Sequence, residues 1–103
     1  MKEKFAYDPE QYMAIANFYY DKQQYGKAEE HTRKALVQAP YVASYWQSLG
    51  LELQQQHKDN EAMDNFRKAL YYDANKYTAR EQLRELQKSL RYGKLSRRRM
   101  CMS

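Results

Sequence analysis

The large apolar and small residues of this chain recur after 34 residues. A shift of the sequence by that number superposes them without a gap: Tyr12 on Trp46, Ile15 on Leu49, Ala16 on Gly50, Tyr19 on Leu53, Ala28 on Ala62, Thr32 on Phe66, Ala35 on Ala69, Leu36 on Leu70 and Pro40 on Ala74. Self-similarity at a fixed period of about 20–50 residues is typical of stacked structural repeats. The pattern therefore predicts two copies of one structural unit.

Small residues within each copy predict where two antiparallel helices come close together. These positions are Ala16 and Gly50, Ala28 and Ala62, and Ala35 and Ala69. Large apolar residues are expected to fill the spaces beside them. One helix pair cannot cover its own apolar face, so the two pairs are expected to stack.

Capping and turn residues predict where the helices begin and end. Asp8 is placed to cap the first helix, Pro9 suits its first turn, and Gln11 completes a capping box. Further breaks are predicted at residues 23–26, at Ala39 and Pro40, at residues 56–59 with Asp59 as a candidate cap, and at residues 73–75.

A fifth helix is predicted over residues 76–91. Its apolar residues, Ala79, Leu83, Leu86 and Leu90, are spaced by three or four and form a single stripe. An otherwise polar helix of this kind is typical of a cap on the last repeat. Gly93 is a natural end for it, and residues 94–103 are expected to form a disordered basic tail.

These residues resemble the tetratricopeptide repeat family, whose 34-residue pattern is W-x2-L-G-x2-Y, then A-x3-F, then A and P. The second copy carries most of that pattern, in Trp46, Leu49, Gly50, Leu53, Ala62, Phe66 and Ala69, with Leu53 replacing the tyrosine and Ala74 the proline. The first copy departs from it at Thr32. The resemblance covers residues 9–76.

The resemblance implies an all-α solenoid of antiparallel helix pairs in the order A1, B1, A2, B2, closed by the fifth helix. Residues 1–93 are expected to form one domain. Repeat 1 would span about residues 9–42, repeat 2 about residues 43–76, and the capping helix about residues 76–91.

The resemblance also implies a concave face lined by the A helices, where a partner would bind. The expected groove residues are Met13, Asn17, Tyr20, Gln47, Ser48, Leu51, Gln54, Glu81 and Glu85. Their amide and hydroxyl groups would bond to the backbone of a peptide, and the apolar side chains would take one or two anchors. The alternative is that Met13, Tyr20 and Leu51 pack against neighbouring helices.

One branch of the family grips the acidic C-terminal tails of heat-shock chaperones with a clamp of lysine, arginine and asparagine side chains. The matching positions here are Met13, Asn17, Ser48, Thr78 and Gln82, and only Asn17 fits. Without a cation at these positions, carboxylates would lose charge-assisted hydrogen bonds. We therefore expect that such acidic tails do not bind.

Charge is unevenly distributed along the 103 residues. Residues 1–85 carry 12 basic and 13 acidic side chains, whereas residues 86–103 carry six basic side chains and no acidic one. The net charge of +5 therefore comes from the C-terminal segment, in which Lys94, Arg97, Arg98 and Arg99 lie close together. Segments of this kind contact nucleic acid or anionic lipid in some proteins and are simply solvated in others.

No catalytic or ligand-binding motif was found. Neither His31 nor His57 has a cysteine or a second histidine at metal-ligand spacing, and the single Cys101 excludes an internal disulfide. There is no glycine-rich phosphate loop. The sequence thus predicts no enzyme, no cofactor, no metal and no small-molecule substrate. The N-terminal residues lack the apolar core of a signal peptide, so the cytoplasm is the expected compartment.

The preferred hypothesis is a cytoplasmic adaptor or assembly-factor module that binds a peptide or helix of a partner protein in the A-helix groove. Two alternatives stay open. The protein would be a nucleic-acid or anionic-membrane accessory protein that makes weak contacts through its basic tail, or a structural subunit that self-associates through its helix faces.

Overall fold

The computed structural model describes the backbone of residues 5–102 and the side chains of residues 5–90. Within these residues the chain forms five α-helices and no strand. They are α1 (Pro9–Asp21), α2 (Tyr25–Gln38), α3 (Ala43–Gln55), α4 (Asp59–Tyr72) and α5 (Tyr77–Met102). The all-α architecture predicted from the sequence is confirmed.

The helices stack in chain order. Helix α1 packs against α2, α2 against α3, α3 against α4, and α4 against α5, with a smaller contact between α3 and α5. This succession of neighbour contacts is the packing of a solenoid. Helices α1 and α2 correspond to A1 and B1, and α3 and α4 to A2 and B2.

The start of α1 matches the sequence prediction. The backbone N–H of Gln11 donates to Asp8 Oδ1 at 2.9 Å, and the backbone N–H of Asp8 donates to Gln11 Oε1 at 3.0 Å. This reciprocal pair is a capping box, with Pro9 in the first turn.

The prediction that Asp59 caps α4 is wrong. Asp59 is the first residue of that helix and Lys58 precedes it as the cap residue without a side-chain hydrogen bond. Asp59 instead lies where a negative charge favours the helix dipole.

The two turns inside the repeats are nearly identical. Gln23 and His57, which are 34 positions apart, both have a φ of 63°. The N–H of Gln24 donates to the carbonyl of Tyr19, and the N–H of Lys58 to that of Leu53, both at 2.9 Å. These bonds define a Schellman motif at the end of α1 and of α3. The first turn is therefore residues 22–24, and the prediction of residues 23–26 was too late because Tyr25 and Gly26 already belong to α2.

The core follows the repeat pattern. The small residues Ala16, Ala28, Ala35, Ala62 and Ala69 are fully buried. Two clusters result, a larger one around Leu49, Leu53 and Phe66 across α2 to α5, and a smaller one of Tyr12, Met13 and Ala35. Gly50 packs directly against the Phe66 ring, since an added Cβ would lie 2.6 Å from Phe66 Cε1.

Helix α5 differs from the prediction in its length. It runs through Gly93 to Met102, so the predicted end near residue 91 is wrong, and residues 94–102 are helical rather than disordered. A lone glycine costs a helix only about 1 kcal/mol, and leucine, arginine and lysine are good helix formers. The side chains of Lys94, Arg97, Arg98 and Arg99 lie outside the described residues, as do residues 1–4 of the expected domain.

Candidate functional site

The predicted groove residues lie on α1, α3 and α5, but they are not equivalent. Asn17 and Glu85 are exposed, and six others are partly buried: Tyr20, Gln47, Ser48, Leu51, Gln54 and Glu81. Met13 is only 8% exposed and belongs to the smaller core cluster. Its side chain therefore packs between α1, α2 and α3, which is the alternative that the sequence analysis left open for Met13.

A small pocket brings together four of the predicted residues. Asn17 and Tyr20 of α1 meet Ser48 and Leu51 of α3 around a volume of about 110 Å³. The fifth lining residue is Glu52, which the sequence analysis did not single out. The pocket thus combines apolar and aromatic surface with an amide, a hydroxyl and a carboxyl group.

The other predicted residues lie outside this pocket. Gln54 donates to the side chain of Gln82 at 3.0 Å and so links α3 to α5. Glu81 forms an ion pair with Arg84 at 3.6 Å. Gln47 is partly buried and its Oε1 has no hydrogen-bond partner among the described residues.

Glu52 is the unusual group of the site because it is a carboxyl group that is only 1% exposed. Thr32 Oγ1 of α2 donates to its Oε2 at 2.7 Å, whereas its Oε1 has no partner among the described residues. Burial raises the pKa of Glu52 to about 8, against the opposing effect of the Thr32 hydrogen bond. Glu29 raises this pKa further and Arg33 lowers it.

The sequence contained one signal for this buried pair. Thr32 occupies the place at which the second repeat has Phe66, and the smaller side chain leaves space. Glu52 is 34 positions before Leu86, which is buried beside the Phe66 cluster. Glu52 and Thr32 therefore stand where Leu86 and Phe66 stand one repeat later.

A network of hydrogen bonds and ion pairs next to Glu52 links α2 to the end of α3 and the turn that follows it. Gln56 donates to Glu29 Oε1 at 2.9 Å and to the Glu52 carbonyl at 3.2 Å. Arg33 and Lys58 pair with the same Glu29 carboxylate at 2.8 and 3.7 Å. Burial alone would raise the pKa of Glu29, but the hydrogen bonds from Gln56 and Arg33 and the charges of Arg33 and Lys58 lower it. The charged Glu29 carboxylate thus joins α2 to the turn after α3.

Tyr20 is held in place at the edge of the pocket. Its ring packs edge-on against Tyr25 at a centroid distance of 5.1 Å. Burial raises the pKa of its hydroxyl, and a hydrogen bond with Gln55 partly offsets that shift. Tyr20 thus contacts both α2 and α3.

The part of the chain that the structure describes contains neither a group of three or more histidine, cysteine, aspartate or glutamate residues suited to a metal ion nor a helix with the length and apolar character to cross a membrane.

No family model and no curated protein matches the sequence. Among 29 matching chains of solved structures is the first TPR of Spaghetti (RPAP3) bound to the HSP90 peptide SRMEEVD, with a TM-score of 0.77 and 19% sequence identity. The chain has the tetratricopeptide repeat fold. The match covers 81% of this chain and 66% of the other. The fold implied by the sequence pattern of Trp46, Gly50, Ala62 and Phe66 is confirmed.

Proposed function

We propose that this protein is an adaptor or assembly-factor module that binds a segment of a partner protein on the concave face of α1, α3 and α5. The observation that carries the proposal is the pocket between α1 and α3, where Asn17 and Ser48 supply hydrogen-bonding groups beside Leu51 and Tyr20. Small apolar surfaces with a few polar groups are typical of sites that hold a peptide side chain.

The matched solved structure adds support, since its TPR domain is bound to a peptide. That peptide ends in acidic residues, and the positions of this chain that would hold such an end carry no cation. We therefore keep the general mode, binding of a peptide segment, and expect a different peptide chemistry.

The test begins with selection of peptides from a random display library on the full chain. Calorimetric titration then compares the selected peptides on the parent and on the double variant Asn17→Ala, Leu51→Ser. We expect at least a tenfold loss of affinity in a variant that keeps its helical circular dichroism spectrum, since about 1.4 kcal/mol corresponds to tenfold.

A matched control is available on the other side of the solenoid. Val37 of α2 and Asn60 of α4 are exposed, so the double variant Val37→Ser, Asn60→Ala removes the same chemical groups from the B helices. Its affinity should equal that of the parent. Peptides that bind the groove variant as tightly as the parent would place the binding surface elsewhere and refute the proposal.

A further inference from the structure

The pocket is lined by a carboxyl group of which only one oxygen accepts a hydrogen bond from the described residues. Glu52 lines it, and Thr32 bonds to one carboxyl oxygen while Oε1 has no partner among the described residues. A buried polar atom that lacks a hydrogen bond is destabilising, and an occupant that donates a hydrogen bond to it removes that destabilisation.

The charges on the predicted groove residues favour a cationic occupant. Glu81 and Glu85 are acidic, and none of the nine predicted groove residues is basic. A face of this sign attracts a basic segment and repels an acidic one.

We propose that the pocket receives the ammonium group of a lysine side chain from the bound segment, paired with the Glu52 carboxylate. An ammonium group has three N–H donors and no acceptor. Three of the residues that line the pocket, Glu52, Asn17 and Ser48, carry side-chain oxygens that can accept such hydrogen bonds. The inference rests on the proposed function, whose groove it specifies.

The rest of the pocket suits the remainder of a lysine. Leu51 and the ring of Tyr20 provide apolar surface for the four-carbon stem. A volume of about 110 Å³ is small, which favours the compact ammonium over the planar five-donor guanidinium of arginine.

Binding of a cation here is expected to release a proton. In the free protein, burial keeps the Glu52 pKa near 8, so the group is mostly protonated at neutral pH. The charged groups near Glu52 are Glu29 and Arg33 of α2. The Tyr20 hydroxyl of α1 is a further titratable group near it. A paired ammonium lowers the Glu52 pKa. Affinity should therefore rise with pH up to about 8 and then stay level until the lysine itself deprotonates near 10.4.

The first test is a double-mutant cycle on peptides selected from the display library. In each peptide the lysine is replaced by norleucine or by arginine, and the protein carries Glu52→Gln or, as the control, Glu30→Gln, whose carboxylate is exposed on α2. On the parent we expect norleucine to weaken binding about tenfold or more. On Glu52→Gln the same replacement should have little effect, and on Glu30→Gln it should have the parental effect.

Two results would overturn the inference. One is selection of groove-binding peptides without a recurrent lysine. The other is equal affinity of the lysine peptide for the parent and for Glu52→Gln. Both leave the proposed function intact if the Asn17→Ala, Leu51→Ser variant still loses binding. If that variant keeps full affinity, the proposed function falls instead.

A second measurement needs only the parent protein, so it is independent of whether Glu52→Gln folds. Calorimetric titration of the lysine peptide at pH 6.5 in two buffers of different ionisation enthalpy reports the protons exchanged. We expect release of about one proton per peptide, no release well above pH 8, and none with the norleucine peptide. An absence of proton release at pH 6.5 would contradict the ion pair.

Discussion

At the scale of single residues, Thr32 and Glu52 form a polar contact at the place where the next repeat has two apolar residues. The equivalent residues one repeat later, Phe66 and Leu86, belong to the larger core cluster. At the place of the Phe66 ring, Thr32 has a hydroxyl group that donates to Glu52 Oε2 at 2.7 Å. The sequence pattern revealed Thr32 as an exception, but it could not reveal that its hydrogen-bond partner lies 20 positions away.

This pair predicts an unusual pH dependence of stability. The pKa of Glu52 rises from 4.5 to about 8 on folding, so the native state holds a proton that the unfolded state releases. Its contribution to stability is complete below pH 4.5 and is lost as the pH rises toward 8, by about 2–5 kcal/mol. We expect thermal melts to show lower stability at pH 9 than at pH 6 in the parent, and a much flatter profile in Glu52→Gln.

Glu29 acts in the opposite direction, because its pKa is lowered. Its contribution to stability is lost as the pH falls through that lowered pKa, so the two effects occupy different parts of the pH range.

A Glu52→Gln variant that lost stability between pH 6 and pH 9 as steeply as the parent would mean that another group causes the pH dependence of stability.

The close approach at Gly50 gives a second prediction. A Cβ at this position would lie 2.6 Å from Cε1 of Phe66, whose side chain is fully buried, so the ring or the helices would have to shift. Gly50→Ala should therefore cost about 1–3 kcal/mol in chemical denaturation. The double variant Gly50→Ala, Phe66→Leu should be less destabilised than the sum of the two single variants, because the smaller side chain admits the methyl group. Strict additivity would show that the two residues do not clash.

At the scale of secondary-structure elements, the turns after α1 and α3 hold a residue in the left-handed region. Gln23 and His57 both have a φ of 63°, and glycine is the residue that adopts this conformation without steric cost. Neither turn could be placed to the residue from the sequence, because neither carries the glycine that usually marks a Schellman motif.

Glycine at these two places is expected to stabilise the fold. Gln23→Gly and His57→Gly should each gain about 0.5–1 kcal/mol, the relief of backbone strain exceeding the entropy that glycine adds to the unfolded chain. The control is Gln87→Gly at an exposed position inside α5, which should lose about 1 kcal/mol. Urea titrations with equal m-values would measure both effects, and a loss at residue 57 similar to that at residue 87 would refute the explanation.

Helix α5 shows which part of an element a hydrophobic pattern can predict. The buried Ala79 and Leu86 and the partly buried Leu83 were correctly placed on one packed face. Leu90 is 40% exposed, so the packed stripe ends before it. The helix nevertheless continues to Met102, since backbone propensity does not require a partner helix. The apolar pattern therefore predicted the packed part of α5 and not its end.

At the scale of the whole molecule, the repeat pattern predicted the fold because its small residues are buried between helices that pack together. The resemblance to the tetratricopeptide repeat family implied that Asn17, Tyr20, Ser48 and Leu51 lie on facing helices, and the structure brings them around one pocket. It did not show that Met13 is buried in the smaller core cluster, because burial depends on the neighbouring helices. The contribution of Glu52 depends on burial, which the pattern does not report.

The basic C-terminal segment supports the last prediction. Lys94, Arg97, Arg98 and Arg99 lie in residues 94–103, which contain no acidic residue. Phosphates attract such a cluster without regard to sequence, and each neutralised phosphate of duplex DNA adds about 0.9 to the salt dependence of log K. We expect the full chain to bind a short DNA duplex weakly at low salt. This binding should be lost near physiological ionic strength, where the Debye length is about 8 Å.

The matched variant replaces these four residues by glutamine, which keeps helix propensity and removes the charge. Gel shifts at several salt concentrations should show that this variant loses most DNA binding while its melting temperature and its affinity for selected peptides stay nearly unchanged. DNA binding that persisted at high salt with sequence preference would favour the nucleic-acid alternative. Loss of peptide affinity would instead mean that the basic segment contributes to the peptide site, because charge removal alone leaves the groove residues in place.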